Sequence, residues 1–106
     1  MQVEHKQSSP YPEVIKDGSA LTIEGVQYDL ASMQQDSERI ENIKDKSGRF
    51  LANIILPPKT YKEVDTGETD GDGNPVYELQ AQPLDMARVR LVLWKKYIEP
   101  ETQEVI

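Results

Sequence analysis

The chain has no cysteine and one histidine, His5. Without cysteine there are no disulfides and no thiolate metal sites. A composition of that kind suits the cytosol, and it also suits a particle that passes between reducing and oxidising surroundings. With one imidazole, no cysteine nucleophile and no serine in an elbow motif, no catalytic triad can be assembled. A metal role for His5 would need carboxylate partners that the sequence does not place beside it, so it reads as an exposed side chain. Aromatic residues are 7% and hydrophobic residues 37% of 106 positions, a lean supply for one small core. No apolar run approaches the roughly 20 residues that cross a bilayer. The opening Met1-Gln2-Val3-Glu4-His5-Lys6 lacks the apolar centre of a signal peptide. These absences predict a soluble protein that is not self-exported and has no membrane partner. Basic residues are also scarce, 12 against 19 acidic ones, for a net charge of -7. Binding to nucleic-acid phosphates is disfavoured unless the cations collect on one face. In sequence they look dispersed, with Lys44, Lys46 and Arg49 in one group and Arg88, Arg90, Lys95 and Lys96 in another. No nucleic-acid partner is expected.

What is present is two dense apolar runs, Phe50–Leu56 and Val89–Trp94, which read as buried strands. Pro57 and Pro58 stop the first abruptly, which favours strand over helix for so short a run. Between the runs lies a polar excursion centred on Thr69-Asp70-Gly71-Asp72-Gly73-Asn74-Pro75, a strong turn signal. On its flanks Tyr61, Glu63 and Asp65 alternate with Lys62 and Val64, and Val76–Gln82 returns to Pro83. The excursion therefore reads as a protruding acidic hairpin at 60–80. With no apolar residue between Gly67 and Asn74, its tip has nothing to bury and is expected to be loosely held.

Residues 1–12, with Pro10 and Pro12, read as an extended N-terminal arm, and 13–106 as a single small domain. Ala20–Leu30 reads as a tight hairpin, with Leu21 and Ile23, then Val26 and Tyr28, alternating about Gly25. Leu30, Met33, Ser37, Ile40 and Ile43 form an approximate helical stripe, which predicts one short helix over Ser32–Glu41. The competing reading makes Arg39–Ile43 a strand and Lys44–Gly48 its turn into Phe50. Residues 88–97 read as strand, because Val89, Leu91 and Leu93 alternate with Arg88, Arg90 and Val92. A helix over 85–98 is the alternative, with Asp85 as cap and Met86, Val89, Leu93 and Tyr97 on one face. Tyr97–Ile106 reads as a further hairpin. The fold class is thus mainly β, a hairpin-built small sheet or sandwich with one short helix; the alternative is α+β with a helix at 85–98.

Among groups that carry chemistry, Asp70-Gly71-Asp72-Gly73-Asn74 begins as a calcium loop does. The template then fails. Pro75 stands where the sharp turn needs glycine, Ala81 where a bidentate glutamate closes the shell, and Glu78 cannot replace it. Glu63, Asp65, Glu68, Asp70 and Asp72 are plentiful but solvated, with nothing apolar nearby to raise a carboxyl pKa for acid–base work. Gly67, Gly71 and Gly73 lack the following Lys-Ser or Lys-Thr of a phosphate loop. Trp94 and Tyr97, beside Lys95 and Lys96, could form a stacking surface, but in so lean a core both are expected to cover its edge. No catalytic, cofactor-binding or metal-ligating residue is assigned, and an enzyme is not expected.

The stretch Ile23-x-Gly25-x-x-Tyr28-Asp29-Leu30 is similar to the start of many small phage-encoded proteins. That resemblance, together with terminal arms and strand edges that need covering, implies a structural or adaptor protein of a phage or prophage particle, its tail included. Such a protein acts through protein–protein assembly. Its partners would be other particle proteins or further copies, in the host cytoplasm during assembly and in the virion. The charge of -7 and the carboxylate-lined excursion suggest the alternative, a small acidic phage-encoded inhibitor seated in a basic groove of a host enzyme.

Overall fold

Alternation of buried and exposed side chains along the first apolar run sets the architecture. The computed structural model describes residues 1–97. In chain order it contains β1 (Gln2–His5), β2 (Val14–Asp17), β3 (Ala20–Ile23), β4 (Val26–Asp29), α1 (Leu30–Met33), β5 (Arg39–Lys44), β6 (Phe50–Leu56), β7 (Tyr61–Thr69), β8 (Pro75–Ala81) and β9 (Arg90–Leu93). One turn of 3-10 helix, Met86–Arg88, precedes β9. The fold is mainly β, with strands in 51% and helical turns in 7% of the described residues.

Three sheets form: β1-β9-β6-β5, β2-β3-β4, and the two-stranded ribbon β7-β8. In the first, β6 is central, antiparallel to both β5 and β9, and β9 pairs in parallel with β1. Ala52, Ile54 and Leu56 on one face of β6 are fully buried, as are Leu91 of β9 and Leu21 and Ile23 of β3. Leu30 and Val89 close the same cluster, so the meander β2-β3-β4 lies over one face of the larger sheet. Both sheets supply alternate residues to a single apolar layer, the arrangement of a small sandwich.

Local chemistry explains the connections. The β3–β4 turn places both Glu24 (φ 48) and Gly25 (φ 80) in the left-handed region, as a two-residue hairpin of type I′ requires. Glutamate is a poor residue there, and its carboxylate is tied down, accepting from the Glu13 N–H at 2.9 Å and Lys96 Nζ at 2.8 Å. Asp29 caps α1, accepting from the Ser32 hydroxyl at 2.8 Å.

Two expectations are corrected. The helix over Ser32–Glu41 is a single turn at Leu30–Met33, and residues 39–44 are strand. The Ile40–Ile43 stripe is not a shared face: Ile43 packs on the core while Ile40 is exposed on the opposite side of β5. Pairing along β6 outcompetes the helix, because it satisfies a whole strand edge of otherwise open backbone groups. The alternative helix at 85–98 also fails. Asp85 does cap, accepting from the Ala87 N–H at 3.0 Å, but the helix ends after one turn and Arg90–Leu93 enters the ladder. The strand expected over 88–97 is accordingly shorter. Within the extended segment 1–12, residues 2–5 form the sheet's edge strand, and Met1 and Tyr11 pack against the core. The hairpin expected at Tyr97–Ile106 lies outside the described residues.

Gln34 joins the body to the ribbon. It is 9% exposed and its Nε2 donates to the carbonyls of Pro57 (3.1 Å) and Pro58 (3.2 Å). The adjacent Lys59 N–H donates to the Gln35 carbonyl at 2.7 Å.

Three predictions follow from this packing. Ile54→Ala should cost about 3 kcal/mol in urea unfolding, the usual cost of emptying a core aliphatic site. Ile40→Thr, on a residue 55% exposed, should cost no more than about 0.5 kcal/mol. Gln34→Glu sets a carboxylate against two carbonyl oxygens and should cost about 2 kcal/mol at pH 7. That carboxyl would have a folded pKa raised above its unfolded value. Stability would therefore be lost as pH rises, and the deficit against wild type should shrink at pH 4; an equal deficit at both pH values would refute the donor role.

Candidate functional site

Two surfaces at opposite ends of β6 stand out. Beyond Leu56 the ribbon β7–β8 leaves the body, and no residue of either strand is buried. The molecule extends over 86 × 24 × 21 Å with a radius of gyration of 20.7 Å, against about 13 Å for a compact chain of this size. Register fixes what the ribbon shows. Tyr61, Glu63 and Asp65 stand opposite Ala81, Leu79 and Tyr77, so these six side chains share one face. Tyr61 is 47%, Tyr77 56% and Leu79 69% exposed, an apolar stripe between carboxylates that nothing in the described chain covers. At its base the Tyr61 hydroxyl donates to Asp36, a bond to a carboxylate that raises the phenol's pKa. Across 61–81 six acidic residues face one base, Lys62, so the ribbon carries most of the chain's net charge of -7.

The ribbon's tip is ordered by its own aspartate. Asp70 Oδ1 accepts from the N–H groups of Asp72 and Asn74, both at 2.9 Å, and the Asp70 carbonyl accepts from Gly73 N–H at 3.1 Å. The Asn74 and Asp72 N–H groups hold its carboxyl below the ordinary aspartate value. The same turn closes β5 onto β6. There Asp45 Oδ1 accepts from Ser47 N–H (2.8 Å) and Arg49 N–H (3.0 Å), and the Asp45 carbonyl accepts from Gly48 N–H (3.0 Å). Gly48 (φ 82) and Gly73 (φ 80) occupy the matching left-handed position. The tip buries nothing, as expected, and its backbone is held by hydrogen bonds to Asp70. Among the described residues no group of three or more His, Asp or Glu side chains is placed to hold a metal ion.

At the other end of β6 the chain gathers aromatic rings and cations. Phe50 lies 5.7 Å from Trp94, Lys44 Nζ sits 5.3 Å over the Phe50 ring, and the Arg49 guanidinium lies 3.9 Å over the Tyr97 ring. The Trp94 indole N–H donates to Asn53 Oδ1, and Asn53 Nδ2 donates to Asn42 at 2.7 Å, which fixes the ring across the outer face of the sheet. An open cleft of about 720 Å³ lies between Gln7, Ser8, Gly48, Arg49, Phe50, Trp94, Lys95 and Tyr97. Lys46 borders the adjoining hollow with Arg49 and Tyr97.

Sequence reasoning raises Trp94, Tyr97 and Lys95 as a stacking surface only to set it aside, and does not bring Phe50, Lys44, Lys46 or Arg49 to it. Trp94 and Tyr97 are expected to cover the core edge, yet Trp94, half-buried, lies on the sheet's outer face with Asn53, and Tyr97 is 53% exposed. Phe50, expected in a buried run, is 40% exposed. The Lys44–Arg49 and Lys95 cations, dispersed in sequence, meet because β6 and β9 are antiparallel with Ala52 opposite Leu93. Arg88 and Arg90 fall toward the other end, with Arg90 opposite Ile55. The His5 ring lies 4.6 Å from that of Tyr11.

The fold and these surfaces define a small two-sheet β protein with a projecting acidic ribbon and a cationic aromatic end. No protein-family model matches the chain, and neither the curated proteins nor the solved structures contain a match to it. No helix among the described residues is long and apolar enough to cross a membrane.

The tip's self-contained turn makes a further prediction. Replacing Gly67–Pro75 by Asn-Gly between Thr66 and Val76 should cost less than about 1 kcal/mol, because only exposed residues are removed and loop closure is cheap. Millimolar calcium should leave the melting temperature of the intact chain unchanged. A calcium-dependent rise seen in the intact chain and absent from the deletion would restore the metal loop.

Proposed function

We propose that this chain is a structural or adaptor protein of a phage or prophage particle and works through protein–protein assembly, without catalysis. The observation that carries the assembly reading is the ribbon. It presents Tyr61, Tyr77 and Leu79 to solvent on a face that nothing in the described chain covers. Exposed aromatics on a projecting arm are the usual anchors of an interface. Two further edges, β1 and β5, flank the four-stranded sheet and offer backbone pairing to a neighbour. The particle setting comes from the resemblance at Ile23–Leu30, whose residues form the β3–β4 turn, the α1 cap and a core position.

The ribbon's six carboxylates against one lysine favour a second reading, an acidic inhibitor in a basic groove of a host enzyme. Particle composition separates the two. Mass spectrometry of particles purified from the host that carries the gene should find this chain in fixed ratio to the other particle proteins. An inhibitor would be absent from particles and would co-elute with a host enzyme, and that result would overturn the assembly reading.

A further inference from the structure

We propose that the chain associates with itself head to tail, the acidic ribbon of one copy seated on the cationic aromatic end of the next. This rests on the assembly reading and narrows the partner to a further copy. Three observations support it. First, the two surfaces are complementary in chemistry: Glu63 and Asp65 flank an exposed Tyr77–Leu79 stripe, while Lys44, Lys46 and Lys95 flank exposed Phe50 and half-buried Trp94. Carboxylates find ammonium groups and aromatic side chains find rings in the same contact.

Second, the surfaces lie at opposite ends of β6. The ribbon departs after Leu56, and the cluster surrounds Phe50, about 20 Å away along the strand. The ribbon projects outward from its own end, so its complement is a second molecule's cluster. Third, charge excludes the symmetric alternatives. Two ribbons face to face would bring together carboxylates, and two clusters would bring together Lys44, Lys46 and Lys95, while Arg49 is paired within its own chain with Asp45 at 3.1 Å. A contact between unlike surfaces is heterologous, and repetition gives a ring or a filament in place of a closed dimer. The same cluster has the elements of a stacking surface for single-stranded nucleic acid, but a net charge of -7 opposes a polyanion, and that reading gives the ribbon no role.

The test uses the full chain in sedimentation and light scattering. At low salt the mass of wild type should rise with concentration past two copies, and association should weaken by roughly tenfold or more between 20 and 200 mM salt. Two variants neutralise one surface each and touch only exposed side chains: Glu63→Gln/Asp65→Asn/Glu68→Gln on the ribbon, and Lys44→Gln/Lys46→Gln/Lys95→Gln on the cluster. Each alone should remain monomeric. Mixed, they should form a 1:1 pair that goes no further, since one supplies a ribbon and the other a cluster. A monomeric wild type, a dimer that stops at two copies, or association unaffected by either variant overturns the proposal. So does a wild type that stays monomeric while its cluster retains a labelled single-stranded oligonucleotide that the lysine variant releases. Failure here shows in solution mass and failure of the assembly reading in particle composition, so the two are separable.

Discussion

Burial of one face of β6 is the constraint on which the remainder depends. Ala52, Ile54 and Leu56 leave water only if a second layer covers them, and the β2-β3-β4 meander is that layer through Leu21 and Ile23. With so few large apolar residues, the chain cannot build a second core under the ribbon. Hydrophobic content is concentrated in one small sandwich, and the excursion between Pro58 and Pro83 is left to stand on hydrogen bonds alone. Gln34, whose amide reaches both proline carbonyls, secures the junction where the two regimes meet.

Those hydrogen bonds have a local grammar. The pentapeptides Asp45-Lys46-Ser47-Gly48-Arg49 and Asp70-Gly71-Asp72-Gly73-Asn74 fold identically, each built on an aspartate that accepts two backbone N–H groups and a left-handed glycine three residues on. This comparison explains the calcium-like run better than a missing ligand does. Asp70 has the role of Asp45, whose turn has no second acidic residue, and its Oδ1 is already engaged by the chain's own backbone. The carboxylate is a structural acceptor at a turn.

Charge separation along the molecule is a consequence of strand direction. Because β6 and β9 run antiparallel, residues entering β6 and leaving β9 share one end. Lys44, Lys46 and Arg49 therefore meet Lys95 although about half the chain lies between them in sequence. The opposite end of β6 leads straight into the acidic ribbon. A chain with a modest acidic excess thus presents unlike charges at its two ends, each beside exposed aromatic or aliphatic groups. Such a distribution favours oriented contacts over symmetric ones.

By itself the sequence determined what depends on neighbours in the chain. The strand character of Phe50–Leu56, the β3–β4 hairpin about Gly25, the ribbon, the Asp85 cap and the mainly β class are all written in period-two alternation and turn residues. Only tertiary structure decided the rest. Residues 39–44 have an apolar spacing that fits a helix, and they became strand because β6 offered an unpaired edge. Val89–Leu93 was ambiguous until β1 and β6 flanked it. Which aromatics stay wet was equally hidden, because exposure of Phe50, Tyr77 and Tyr97 depends on what distant strands cover. Local pattern specifies a strand and its alternating faces; the partner, and hence the face left to solvent, is set by contacts between residues far apart in sequence.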